Sequence, residues 1–328
     1  MAVTGRVSVM IPAYNQEAFI ADTVESVLVQ SYRDIEIVVT DDGSQDTTPD
    51  MIRRLARQDA RIVPMFAEKN GGQSVNTNRG LDRCSGEYIA LLGGDDLMFP
   101  DKVAQQVDFM RAHPDCGVCT HDMEVFDTAT GETLYRLNDR FARKDGGPEA
   151  LFTTNWLFGR EVKAIPSSSM YRAACIGPRR YDERLRIVNE WLHEIDCLMA
   201  SGLKWRSLPD VLGRYRVHDR QMSRSAEANE RGFEEAMMVL AIAGVRYPEL
   251  APLLKNKRDF IVFRHLVFDW LAAEKRGAYE RQFRIEAGVW KTQYMRVARL
   301  MVRQSWLLDV SRPARRFVRW LSDRASDA

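Results

Sequence analysis

Two pairs of adjacent carboxylates stand out in this 328-residue chain: Asp41–Asp42 in "VVTDDGSQD" and Asp95–Asp96 in "LLGGDDLMF". Each pair follows an apolar run and sits beside glycine, which frees the backbone for a tight turn. Like charges at that spacing repel, so solvent, a basic residue or a metal ion has to compensate them. A divalent cation between such carboxylates and a diphosphate reverses the sign of the interaction. It also takes up charge that develops on a departing phosphate.

The spacing of glycines and serines excludes several other chemistries. No G-x-G-x-x-G follows the first apolar run, where "PAYNQE" stands, and no G-x-x-x-x-G-K-[ST] occurs. A dinucleotide dehydrogenase and a P-loop enzyme are therefore poor readings. The absence of G-x-S-x-G argues against a serine hydrolase of the α/β type. The pair Cys116 and Cys119 in "CGVC" falls in a strand-like stretch rather than at a helix start. Packing is expected for both, ahead of redox or zinc chemistry.

The elements that must position the aspartates alternate along the first 110 or so residues. Strands are expected at "VSVMI" (7–11), "IEIVVT" (35–40), "RIVPMF" (61–66) and "YIALL" (88–92). Helices are expected from Glu17 to Gln30, from about Thr48 to Arg57, after "AEKNGGQ", and from Pro100 to Arg111. Such alternation predicts a mostly parallel sheet flanked by helices. Ligands of such sheets bind beyond the carboxyl ends of the strands. The polar ends "PAYN", "DDGS", "EKNGGQ" and "GGDD" all fall there. Further on, "TATGE" (128–132) reads as a hairpin turn and "IPSSSMYR" (165–172) as a strand beneath the same site. A helix is expected from Asn189 to Ala200, and "LPDVLGRYRVHDRQMS" (208–223) reads as extended and loop-like.

After about Ala226 nearly everything reads as helix, which predicts two parts: residues 1–225 around the sheet and a helical subdomain over 226–328. The last stretch, "SRPARRFVRWLSDRASDA", is a basic helix carrying Phe317, Val318, Trp320 and Leu321. It is expected to pack those residues on its own domain, the alternative being contact with an anionic membrane surface or a partner such as a second copy. The formal net charge of +1 gives no electrostatic argument for nucleic acid as a partner. "MAVTGRVSVM" lacks the basic start and apolar core of a signal peptide, and no run of about eighteen uncharged apolar residues occurs. The expected location is cytoplasmic, at or near the inner face of the membrane.

Five segments, taken together over roughly residues 6–224, resemble family 2 glycosyltransferases of the GT-A fold. They are "VSVMIPAYNQEAFIADTVESVLVQSYRDIEIVVTDDGSQDTT", "EKNGGQSVNTNRGL", "GEYIALLGGDDLMFPDKV", "YDERLRIVNEWLHEIDCLMASG" and "YRVHDRQMS". The resemblance implies a Rossmann-like α/β domain and an inverting transfer of one sugar from a nucleotide-diphosphate donor. A UDP-sugar is the expected donor, and a polysaccharide, O-antigen or lipid-linked saccharide the expected acceptor. By the same resemblance Pro12, Ala13 and Tyr14 line the nucleotide cleft with Glu17 beside it. Asp42 accepts the base N3–H, Asp41 is its neighbour, and Asn76 and Arg79 lie near the nucleotide. Asp95 meets the ribose or a metal-bound water, while Asp96 holds Mn²⁺ or Mg²⁺ against the diphosphate. His218 is a further metal or phosphate contact, and Arg216, Arg220 and Ser223 approach the diphosphate.

The chain departs from the family at the general base. The usual Glu-Asp-Trp is here Asn189-Glu190-Trp191, so Glu190 is the implied base, its carboxylate one methylene further out. Glu194, one helical turn on, shares its face and is a stand-in. That departure leaves a non-catalytic sugar-nucleotide-binding protein as the rival reading. A nucleotidyltransferase would need a glycine- and basic-rich loop after the first strand, which "PAYNQEAF" does not supply.

Overall fold

The computed structural model describes residues 2–140, 145–152, 154–155, 160–161, 165–218, 221, 226–258 and 261. Eleven strands are present among them: β1 Val3–Ala13, β2 Ile35–Asp41, β3 Ile62–Phe66, β4 Gly86–Leu91, β5 Leu97–Met98, β6 Cys116–Asp127, β7 Thr133–Arg136, β8 Thr154–Asn155, β9 Arg160–Glu161, β10 Met170–Arg172 and β11 Lys204–Val217. The helices are α1 Ile20–Leu28, α2 Thr48–Gln58, α3 Gln73–Arg83, α4 Lys102–Ala112, α5 Leu137–Arg140, α6 Ala173–Ile176, α7 Asn189–Ser201 and α8 Ala226–Arg246. Residues Met1–Lys257 form one compact unit and Arg258–Ala328 a second. The basic tail, Arg220 and Ser223 lie outside the described residues.

The main sheet runs β3-β2-β1-β4-β10-β6-β11-β5, with β7 on β6. Strands β1 to β4 pair in parallel, whereas β10 is antiparallel to both β4 and β6. The sheet is therefore mixed. Val7, Val9 and Ile11 of β1 and Ile37 and Val39 of β2 are wholly buried. Helices cover both faces, which is why these strands read as near-continuous apolar runs.

Strand order reverses at β1, because β2 lies on one side of it and β4 on the other. A crevice opens at such a switch point, beyond the carboxyl ends of the strands. The register places Ala13 beside Asp41 and Met10 beside Leu91, so "PAYN", "DDGS" and "GGDD" leave the sheet together.

Two expectations fail locally. In "IPSSSMYR" only Met170–Arg172 is strand, and Pro166–Ser168 forms a 3₁₀ turn. Pro166 fixes its own φ, and the Ser168 hydroxyl donates to the Ile165 carbonyl at 2.8 Å, so the backbone turns instead of extending. Conversely, "LPDVLGRYRV" is not a loop but most of β11, paired in parallel with β6. Its register shifts between Ser207 and Val211 and again before Arg214, and these breaks hide the two-residue alternation.

Candidate active site

The first side of the crevice is built by backbone amides closing on Asp42. Its carboxylate accepts the Gly71 N–H at 3.1 Å and the Gly72 N–H at 2.8 Å, and its own N–H donates to the Ala13 carbonyl at 3.0 Å. Gly43 makes the turn possible with φ +71°, and a Cβ there would stand 2.8 Å from the Lys69 backbone. Arg79 Nη1 lies 3.8 Å from Asp42 Oδ1. Asp41 Oδ2 accepts the Ser44 N–H at 3.1 Å, while its buried Oδ1 has no partner. Asn76 donates to the Thr40 carbonyl at 2.9 Å, tying α3 to β2, and its Oδ1 is likewise buried without a partner. Glu17 accepts both the N–H and the hydroxyl of Thr47, which fixes the loop after β1 to the start of α2. Pro12 pairs with Thr40 in the register, Ala13 is buried and Tyr14 is exposed at the rim.

Beyond β4 the two aspartates diverge. Asp96 is buried with both oxygens engaged: Oδ1 accepts the Arg216 N–H at 2.9 Å and Oδ2 the Ser167 hydroxyl. Ser167 Oγ in turn accepts the Gly93 N–H at 2.9 Å, so one 3₁₀ turn holds both ends of the "GGD" bend. Burial, and after it the Asp95 charge, push the Asp96 carboxyl well above the usual range, against the pull of Ser167 and Arg216. Asp95 is half-buried, and its Oδ2 stands 3.0 Å from His218 Nε2.

The compensation that the paired charges require is therefore partly basic. Arg216 Nε donates to the Asp95 carbonyl at 2.7 Å. Its guanidinium lies over Phe19 at 4.8 Å and Phe126 at 5.0 Å, and Nη2 is 3.7 Å from Asp22. Arg216 thus braces the aspartate turn from β11. Gly94 is needed for packing, since a Cβ there would collide with the Gln16 side chain.

The resemblance implies Asp96 as the metal donor with His218, but both its oxygens are engaged by Arg216 and Ser167. The carboxylate that stands beside His218 is that of Asp95, so this pair would be the one to hold a divalent cation. Carboxylate oxygen suits Mn²⁺ and Mg²⁺ alike, whereas an imidazole nitrogen beside it favours Mn²⁺, the softer of the two, over Mg²⁺. His218 Nδ1 is buried without a partner, and the ring packs on Phe19 with centroids 4.7 Å apart, which fixes its direction. Among the described residues no group of three His, Cys, Asp or Glu side chains converges on one point. Asp95 and His218 would hold such an ion together with the donor's own phosphate oxygens.

The opposite side is the N-terminal turn of α7. Glu190 is half-buried there, and Gln73 Nε2 donates to its Oε1 at 3.4 Å. Asn189 is wholly buried and donates to Ser74 Oγ at 2.9 Å. Asn189 thus serves the joint between α3 and α7. Glu194 does share a helix face with Glu190, but it is buried and accepts the Tyr171 hydroxyl at 3.2 Å. Burial, and then the Glu190 charge, push the Glu194 carboxyl up to about 8. His193 stacks on Tyr181 at 4.2 Å and is held neutral, with burial and then the Arg180 charge lowering its pKa to about 3. Trp191 sits 5.9 Å from Phe152, centroid to centroid, with Lys257 Nζ 5.4 Å over its ring.

The sequence reading missed Ser167, Gln73 and Tyr171, which carry no motif of their own. Gln73 alone had a local signal, as the residue after "NGG". Cys116 and Cys119 are both fully buried in β6. No described helix is long and apolar enough to cross a membrane.

Among proteins of known sequence, the chain is 41% identical over 104 residues to the putative teichuronic acid biosynthesis glycosyltransferase TuaG of Bacillus subtilis, a match covering 32% of this chain and 41% of that one. It is 30% identical over 239 residues to the uncharacterized protein y4gI of Sinorhizobium fredii, covering 70% of this chain and 25% of that protein. The matched segments thus span well under half the length of either relative. In fold it is similar to S. aureus TarS 1–349 in complex with UDP-GlcNAc, with TM-score 0.63, 19% identity, and 80% and 73% of the two chains covered. The mannosyltransferase PcManGT of Pyrobaculum calidifontis, in complex with GDP-Man and Mn²⁺, superposes with TM-score 0.59 at 18% identity, over 97% and 84% of the chains. The Glycosyl transferase family 2 profile matches residues 8–174, which carry the Asp42 cradle, the Asp95–Asp96 turn and Ser167. The chain belongs to glycosyl transferase family 2.

Proposed function

We propose that this protein is an inverting, metal-dependent glycosyltransferase that moves one sugar from a nucleotide-diphosphate donor to a polysaccharide, O-antigen or lipid-linked saccharide acceptor. The observation that carries the reading is a link between the two sides of the crevice. Gly72 donates its N–H to Asp42, and the next residue, Gln73, donates to Glu190. The nucleotide aspartate and the candidate base are thereby set by the neighbouring residues Gly72 and Gln73, where the loop after β3 enters α3.

Each group then has a role. Asp42 keeps capacity for an imide N–H, because a carboxylate offers about four acceptor sites and Gly71 and Gly72 occupy only some of them. UDP is the favoured nucleotide on that ground. Asp95 and His218 would hold Mn²⁺ or Mg²⁺ against the diphosphate, and Asp96 would keep that turn in place through Ser167 and Arg216. The metal would supply electrostatic stabilisation of the leaving diphosphate. Glu190 would take the proton of the acceptor hydroxyl as it attacks the anomeric carbon from the face opposite the diphosphate. An α-linked donor gives a β-linked product in one displacement. A C-terminal subdomain over 226–328 is proposed, although α8 lies in the same compact unit as the sheet.

The test is transfer or hydrolysis of UDP-sugars with Mn²⁺, set beside GDP- and dTDP-sugars, with NMR of the product anomer. Release of UDP with inversion supports the reading. Retained configuration, or no turnover of any nucleotide sugar with or without saccharide acceptors, overturns it.

A further inference from the structure

Glu194 is a buried carboxyl that the transfer chemistry above does not use. It lies one turn beyond Glu190 on α7 and is almost closed off from solvent. The titratable groups around it are Glu190, His193 and Cys197 on its own helix, Tyr171 on β10, Cys175 on α6 and Tyr181 in the segment before α7. None of these carries a positive charge near neutral pH, and the largest charge acting on Glu194 is the negative one of Glu190. The guanidinium groups of Arg179 and Arg180 act on Cys197 and His193 behind it. A carboxylate ionises at such a place only at a large desolvation cost, so the proton stays on.

One contact fixes its direction. The Tyr171 hydroxyl donates to Glu194 Oε1 at 3.2 Å, and Tyr171 pairs with Ile89 of β4, the strand whose end carries the aspartate turn. The acidic face of α7 is thereby tied to the same strand that sets the donor side.

We propose that Glu194 is a positioning residue for sugar transfer: its neutral carboxyl, held by the Tyr171 hydroxyl, leaves the single negative charge of the pair on Glu190, the member nearer solvent. This rests on the reading of Glu190 as base. Ionisation of Glu194 would add a second negative charge one turn behind the base and disturb the N-terminal turn of α7. The geometry agrees with the raised pKa of about 8, to which burial contributes most and Glu190 next.

The experiment uses the full chain and measures single-turnover transfer against pH for wild type, E194Q and Y171F, with infrared spectra of the same proteins. Wild type should lose transfer through an alkaline inflection near 8. That inflection should vanish in E194Q, which cannot ionise. In Y171F it should move upward, because the lost hydroxyl no longer favours the charged form. Asp96, also buried with a raised pKa, contributes a band of its own to every variant, so the signal is the difference. At neutral pH wild type minus E194Q should show a protonated carboxyl band, and Y171F should shift that component. A purely structural role would lower the rate at every pH without moving the inflection. An unchanged inflection in both variants, or no such band in the wild type minus E194Q difference, overturns the proposal. E190Q addresses the base separately: transfer at the wild-type rate there removes Glu190 as base, whereas the band and the Y171F shift score Glu194 itself.

Discussion

The two sides of the crevice hold their acidic groups in different ways. On the donor side the partners are largely backbone amides: Gly71 and Gly72 on Asp42, Ser44 on Asp41, Arg216 on Asp96. On the α7 side they are side chains from distant segments: Gln73 on Glu190, Tyr171 on Glu194, Ser74 with Asn189. Backbone donors depend on the path of the chain and tolerate sequence change around them. Side-chain donors can be exchanged one at a time, so this half can be retuned without rebuilding the sheet. Asn189 and Glu190, where the resemblance implies Glu-Asp, fall in the half where the partners are side chains.

The largest expected effect tests the α7 side. E190Q should lower transfer by on the order of 10²–10⁴-fold, the usual worth of a general base. UDP affinity with Mn²⁺ should stay within about twofold, because the carboxylate lies on the far side of the sugar from the metal in this reading. Transfer at the wild-type rate would reverse the comparison and leave α7 a packing element.

Next come the two aspartates. D95A and H218A should each weaken Mn²⁺-dependent UDP binding by roughly 10-fold or more in calorimetry, since each removes a candidate metal donor. D96N should lower stability while the ratio of UDP affinities with Mn²⁺ and with EDTA persists. If D96N alone abolished the metal effect, the divided roles of Asp95 and Asp96 would be wrong.

A smaller effect probes the brace. S167A leaves Gly93 N–H without its acceptor and Asp96 Oδ2 without its donor. A loss of about 1–3 kcal/mol is expected from denaturant unfolding. An unchanged midpoint would mean that Ser167 contributes nothing to the turn.

The smallest effect concerns the pH dependence of stability. The folded pKa of Glu194, about 8, lies above the usual carboxyl value of 4.5. Its neutral form therefore favours the fold fully below about 4.5, and that contribution is lost as pH rises through the window to about 8. The difference in melting temperature between E194Q and wild type should grow in favour of E194Q from pH 5 to pH 8. A difference that stays flat across that range would show Glu194 ionising as an exposed carboxyl does.

The sequence by itself determined the alternation of strands and helices, the strand ends that carry Asp41–Asp42 and Asp95–Asp96, and the helix that begins at Asn189. These are local matters of apolar period, glycine placement and chain direction, and a window of a dozen residues contains them. It also placed the glycine turns correctly, because a positive φ at Gly43 leaves little choice of residue. It did not determine which aspartate of a pair is open. Asp95 and Asp96 are neighbours with the same side chain, and the difference comes from Ser167, 71 residues on, and Arg216, 120 residues on. Nor could it tell Glu190 from Glu194, which share one helix face. Tyr171 and the closure around α7 decide that Glu194 is buried, because charge and solvent exposure depend on what other segments bring within a few ångströms.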